Sequence, residues 1–260
     1  MDKPIRLNEI GIRLYAVRLY NHDYLWFSSF EISKTAGTAP AIHNYALSYA
    51  IANYSYGIFF TSGPRYEEDL ASMPAYATPA RPVGKPASTR FTQNAINSLT
   101  LRTDDAPRGI NSPALGYRLV LDPVWRVVDG ERDRSGFSFY VFAKAGYLLP
   151  SVVRLGKKGC PVRMDFNEIK GPIAVRTQTV VQPTHAVNPL DVQGDIKAYQ
   201  PIPMPPHLIL KVADIQNDWF VFSGSHVVHV PSRFTGAELA TPASVAAESA
   251  PRTRRKAARK

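Results

Sequence analysis

A single cysteine, Cys160, among 260 residues excludes an intrachain disulfide. No charged-then-apolar segment opens the chain, so there is no sign of export and a reducing cytoplasm is expected. No stretch approaches the roughly 20 apolar residues that a membrane helix needs, so no spanning segment is expected.

Catalytic signatures are equally scarce. The six histidines (His22, His43, His185, His207, His226, His229) are scattered, and no HExxH, paired CxxC or close His/Asp cluster offers a metal its ligands. His226 and His229 lie three apart on an expected strand, which puts them on opposite faces, as ordinary strand residues. No GxxxxGK[ST] loop, strand-to-helix GxGxxG or GxSxG elbow is present. Cys160 follows Lys157 and Lys158, whose charges favour a thiolate, but no placed histidine completes a nucleophile. No catalytic residue, cofactor or metal is expected.

Positive charge is abundant. Lys and Arg number 31 against 21 Asp and Glu, a formal charge of +10, which favours a polyanionic partner such as nucleic acid or an anionic membrane. Residues 236–260 hold six basic residues (Arg252, Arg254, Arg255, Lys256, Arg259, Lys260) against Glu238 and Glu248, leaving +6 on the body. Aromatic residues vanish in that tail, which has too little apolar surface to offset ordering and is expected to be disordered. Its charge fits either nonspecific nucleic-acid attraction or simple solubility, and the second reading is preferred.

Residues 12–20 read as a first strand and Tyr24 to Phe27 as a short extended run. One helix is expected, capped by Thr38, with Pro40 in its first turn and Gly57 as its stop. Ile42, Tyr45, Ala46 and Tyr49 fall at helical spacing and would lie on a sheet as core. Strand signals recur at Tyr117 to Leu121, Val124 to Val128, Phe137 to Ala143, Val152 to Leu155, Val162 to Phe166 and Ile173 to Val181. A Pro-rich link from Pro183 to Pro206 separates these from His207 to Val212, Trp219 to Phe222 and Val227 to Val230. Strands outnumber helices, so the fold class is α+β with a dominant antiparallel sheet. Residues 1–235 read as one domain, interrupted at about 62–116 by a Pro-, Gly- and Ser-rich insertion.

Two stretches suit nucleic acid. Arg154 to Arg163, RLGKKGCPVR, sets Arg154, Lys157, Lys158 and Arg163 around Gly156 and Gly159. Glycines let a backbone approach a phosphate, and the cations supply charge. The same segment also fits a basic β-turn on a solvated face. The insertion mixes Arg65, Arg81, Lys85, Arg90, Arg102 and Arg108 with Tyr66, Tyr76 and Phe91, which suits phosphate contact and base stacking, or equally a surface loop.

Three runs resemble one family. Trp26-Phe27-Ser28-Ser29-Phe30-Glu31-Ile32, followed by Ile42 to Ala50 (IHNYALSYA), is similar to the opening of the Cas-five-type (Csc-one) subunit of subtype I-D CRISPR surveillance complexes. Tyr76 to Arg81 (YATPAR) resembles its Y-x-TPA-(K/R) stretch. Phe137 to Phe142, Leu149-Pro150 and Val153 to Lys157 (VRLGK) resemble its FYV, LP and RLGK core. The resemblance spans residues 12 to about 225. It departs at Lys158-Gly159-Cys160-Pro161, and the tail has no counterpart.

This resemblance implies a ferredoxin-like, RNA-recognition-type fold with a thumb-like insertion, acting without catalysis in antiviral defence. It implies a subunit that caps the 5′ handle of the CRISPR RNA, beside the backbone-forming and large subunits and near the protospacer-adjacent motif of target DNA. The expected RNA contacts are Arg154, Gly156, Lys157, Lys158 and Arg163 on the turn, and Arg81, Lys85, Arg90 and Phe91 on the insertion. The rival readings are a metal-independent endoribonuclease that processes precursor RNA and a protein-docking scaffold of incidental charge.

Overall fold

The computed structural model describes residues 4–33, 35–53, 64–94, 115–124, 127–128, 131–132, 136–222, 226–229 and 231. The expectations for Gly57, Arg102, Arg108 and the tail fall outside these residues.

A central antiparallel sheet runs in the order Val152–Leu155, Cys160–Glu168, Ile12–Asn21, Gly136–Lys144, with Ala75–Ala77 and Arg81–Val83 in line on the far edge. Alternation along Ile12–Asn21 sends Val17 and Leu19 to one core and Ile12 and Leu14 to another. Gly136–Lys144 is buried almost throughout, because Phe137, Phe139 and Val141 face the helix while Tyr140 and Phe142 face a second sheet. A strand covered on both sides reads as a continuous apolar run, as this one does.

The helix is Asn44–Ile51, shorter than expected and capped by His43, whose Nδ1 accepts from the Tyr45 N–H at 3.2 Å. Thr38 does not cap it. Its hydroxyl accepts from Phe27 N and donates to Phe27 O, both at 2.9 Å. Pro40 and Ala41 form a bend, and Ile42 exchanges backbone bonds with Ala80 at 3.0 and 2.9 Å, so the chain enters the helix only after His43. Leu47 and Ile51 fill the helix-side core, while Tyr45 belongs to the other core and Tyr49 is half-buried, so the expected stripe is rotated.

The second sheet joins Pro4–Ile5, Ile173–Val181 and Ile209–Phe222, with Ile196–Ile202 and His226–His229 paired along successive halves of the last long strand. That strand was expected as two. It continues because Ala213 and Ile215 point inward while Asp214, Gln216 and Asp218 do not. A third sheet contains Phe30–Ile32, Thr35–Gly37, Leu115–Leu121 and Ser88–Asn94, with Thr35–Gly37 and Leu115–Leu121 parallel. Tyr24 to Phe27 forms no strand, only a bridge between Leu25 and Leu121. Of the strand expected over 124–128, Val127–Val128 is extended and pairs with Glu131–Arg132, while 125–126 lie outside the described residues.

The architecture is therefore α+β and mostly antiparallel sheet. Within the segment 62–116, Tyr66–Ser72 is helical, and both Ala75–Ala77 and Arg81–Val83 belong to the central sheet.

A buried polar chain ties these layers together. Asp191 accepts from Asn44 Nδ2 at 2.8 Å and from the Tyr76 hydroxyl at 2.5 Å. The Tyr76 oxygen then lies 3.1 Å from His229 Nε2, and His229 Nδ1 lies 2.9 Å from His185 Nε2. Because Tyr76 donates to Asp191, the chain assigns donor roles to His229 Nε2 and His185 Nε2.

Candidate nucleic-acid interface

Gly156, Lys157, Lys158 and Gly159 join Val152–Leu155 to Cys160–Glu168. Both glycines have positive φ, 75° and 62°, where a side chain is strained. Gly156 is further required by space, since a Cβ there would sit 2.5 Å from the Trp26 carbonyl oxygen. That carbonyl accepts from Lys157 N at 2.9 Å, and Gly159 N donates to Gly156 O at 3.0 Å. Arg154 braces the bend from below, donating through Nη1 to Gly159 O at 3.0 Å. Lys157 and Lys158 are exposed on a turn whose backbone is pinned.

Cys160 anchors the exit of the turn. Its buried thiol donates to Asp23 O at 3.2 Å, and burial pushes its pKa up, the reverse of what a thiolate nucleophile needs.

Two clefts flank the turn, one beside each lysine, each of about 330 Å³. Lys157 lines the first with Phe27, His43, Tyr45 and Tyr66; the Tyr45 and Tyr66 rings stack at 4.3 Å and 8°. Lys158 lines the second with Tyr24, Trp26, Phe91 and Arg118. There Tyr24 meets Phe91 edge-on at 4.9 Å, and the Arg118 guanidinium lies 5.3 Å from the Trp26 ring centroid. Phe91 and Tyr24 are about two-fifths exposed, which leaves ring surface for a stacking partner.

The expected site residues thus separate into groups. Lys158 and Phe91, 67 positions apart in sequence, share one cleft. Arg90 does not join them. It neighbours Phe91 on a strand and so points to the other face, where its guanidinium lies 4.7 Å from the Tyr117 centroid. Arg81 and Arg163 lie on the central-sheet face turned away from the helix. The register there aligns Arg81, Ser138, Arg18 and Asp165 in one row and sets Arg163 beside Tyr20 in the next. Arg163 is held by Asp165, Nε to Oδ1 at 3.6 Å. Lys85 is exposed just beyond Arg81–Val83. Tyr24, Trp26, Arg118 and Arg18 were not among the expected RNA contacts, since no local pattern links them to the turn.

Three of the six histidines are held neutral by burial. Burial holds His43 and His229 down to about 3, with His207 adding to the effect at His43. Burial also holds His185 well below its usual range, with His229 and Arg81 contributing. His229 is buried and His226 exposed, yet both reach tyrosines on one face of the central sheet, Tyr76 at 3.1 Å and Tyr140 at 3.2 Å, so the expected split between opposite faces is not what the contacts show. Among the described residues no group of three or more His, Cys, Asp or Glu could hold a metal ion.

Residues 12–237 match the family described as Type I-D CRISPR-associated protein Cas5/Csc1. The chain belongs to the Cas5/Csc1 family. No curated protein matches it. The matched span of this Cas5/Csc1 chain includes the turn, both clefts and the arginine row, and ends where the basic tail begins. Membership places the protein in a CRISPR effector complex with other Cas subunits. Among the described residues no helix is long and apolar enough to cross a membrane.

Proposed function

We propose that this Cas5/Csc1 chain is a non-catalytic, cytoplasmic subunit of the type I-D surveillance complex that binds and caps the 5′ handle of the CRISPR RNA. The observation that carries the reading is the pinned Gly156–Gly159 bend, which sets Lys157 and Lys158 between two aromatic-walled clefts. Phosphate contacts position a strand, and aromatic faces hold unpaired bases, so the bend and the Phe91 cleft together suit a single strand of RNA. Arg81, Arg18 and Arg163 extend the positive surface onto the central sheet.

On this reading the central sheet and the helix Asn44–Ile51 form the ferredoxin-like part, and the segment through Ser88–Asn94 carries the thumb. Its neighbours are the backbone-forming and large subunits, with target DNA near the protospacer-adjacent motif. A non-catalytic role is supported by the burial that keeps His43, His185 and His229 neutral and the Cys160 thiol protonated.

The test is to purify the type I-D complex carrying Lys157→Glu and Lys158→Glu together and to quantify the guide RNA extracted from it. A severe loss of retained RNA with folded protein is expected. Retention equal to that of the unmodified complex would remove the turn from the site.

A further inference from the structure

The third sheet has a face that the turn and its clefts do not use. Glu31, Ala36, Arg118 and Phe91 align across its four strands on the side of the Lys158 cleft. On the opposite side the register sets Ile32, Thr35 and Tyr117 in one row and Phe30, Gly37, Leu119 and Arg90 in the next. At its Leu121 end this side meets the helix-side core. Toward Ile32 and Tyr117 it is open to solvent, with those side chains 68% and 38% exposed.

The open part has relief. Phe30 lies across Gly37, where any Cβ would strike its ring, and so fills that position. In the other row the middle strand offers only Thr35, which leaves a hollow between Ile32 and Tyr117, two strand spacings or about 10 Å apart. Beyond Tyr117 lies Arg90, the one charged side chain of the two rows, its guanidinium over the ring and without an ion pair among the described residues. Apolar side chains left open beside a lone cation mark an interaction surface.

We propose that this face docks an amphipathic helix from another protein subunit of the effector complex, with an apolar side chain seated over Thr35 and a carboxylate paired with Arg90. A bare sheet face takes a helix or a sheet as its next layer, and a hollow about 10 Å wide matches a helix of about 10–12 Å diameter. Arg90 stands two strands across from Thr35 and one row along, about 12 Å away, so the carboxylate falls about two helical turns beyond the seated side chain. A second copy of this chain fits poorly, because the two rows carry no carboxylate and a self-complementary contact would leave Arg90 without an acid. RNA fits poorly as well, since phosphates would meet one cation and bases would meet aliphatic Ile32 and Leu119. An acidic helix satisfies the aliphatic surface and the cation together. Arg90, expected from sequence to contact RNA, thereby becomes a protein contact. The proposal uses the chain's place among other Cas subunits and not the handle reading.

To test it, the full chain carrying Ile32→Cys is labelled with benzophenone maleimide, the buried Cys160 thiol of the parent chain serving as the control. The labelled chain is assembled with the other type I-D subunits and guide RNA, then irradiated, and mass spectrometry locates the adduct. The expected adduct lies on a helical, Asp- or Glu-bearing segment of another Cas subunit. Its yield should fall about tenfold when Arg90→Glu is added and persist with Arg90→Lys, which keeps the charge. Should Arg90→Glu fail to fold by circular dichroism, Thr35→Gln, which fills the hollow without adding charge, is expected to remove the adduct instead. An adduct on guide RNA, on a second copy or on a segment without an acid, no adduct above the control, or a yield indifferent to both Arg90→Glu and Thr35→Gln would overturn the docking face. Guide RNA lost with Lys157→Glu and Lys158→Glu in a complex that gives no adduct sinks the docking face alone. The expected adduct in a complex whose RNA is indifferent to those lysines supports the docking face and sinks the handle reading.

Discussion

Acid should destabilise this protein well before its carboxylates are neutralised, because the core holds imidazoles that stay uncharged. His43 and His229 titrate near 3 in the folded chain and near 6.5 when unfolded. Below pH 6.5 the unfolded state therefore binds more protons, and stability falls as pH falls, continuing to the folded value. Each pH unit in that window costs about 1.4 kcal/mol per group. From pH 7.5 to 5 each histidine removes about 2 kcal/mol and the pair about 4 kcal/mol, with His185 shifted the same way. Against a typical stability of 5–15 kcal/mol that is a large fraction. Urea unfolding followed by tryptophan fluorescence at pH 7.5, 6.5, 5.5 and 5.0 measures it, since Trp219 is fully buried. A steep fall in midpoint below pH 6.5 is expected, flattened in a His43→Asn, His229→Gln double variant. An identical midpoint at pH 7.5 and 5.0, or an unchanged slope in the double variant, would refute the argument.

Gly156→Ala should destabilise more than Gly159→Ala in thermal melts. Both carry the positive-φ penalty, of order 1–3 kcal/mol, but only the first drives a Cβ onto the Trp26 carbonyl, whereas Gly159 meets nothing nearer than Arg154 Cδ at 3.7 Å. Asp191→Ala strands the Asn44 and Tyr76 donors in the interior and should cost about 2–5 kcal/mol in urea titration. Phe91→Ala should leave stability within about 0.5 kcal/mol, because the ring is partly exposed, while lowering affinity for single-stranded RNA by about 1–3 kcal/mol in anisotropy titrations.

The parts legible in the sequence are those fixed locally. Gly136–Lys144 announced itself as an unbroken apolar run because layers cover both of its faces. The Gly156–Gly159 bend was legible because its backbone demands glycine twice. The helix start was not, since Thr38, a good cap in isolation, spends its hydroxyl on Phe27. Ile196–Ile202 hid inside a Pro-rich stretch because an edge strand tolerates Pro201, which a central strand would not. The second cleft was illegible for a different reason. Tyr24 and Trp26 meet Phe91 and Arg118 only after Leu25 pairs with Leu121, a contact 96 positions apart in sequence that no periodicity encodes.

That pairing has a mechanical corollary. Leu25 exchanges two backbone bonds with Leu121, and its neighbour Trp26 receives the Lys157 amide. Ser88–Asn94 is laced to the Leu121 strand in turn. A force borne by the outer edge of the third sheet therefore reaches the two lysines through a short run of peptide links, so a neighbouring subunit leaning there would act on the turn itself rather than on a detached flap.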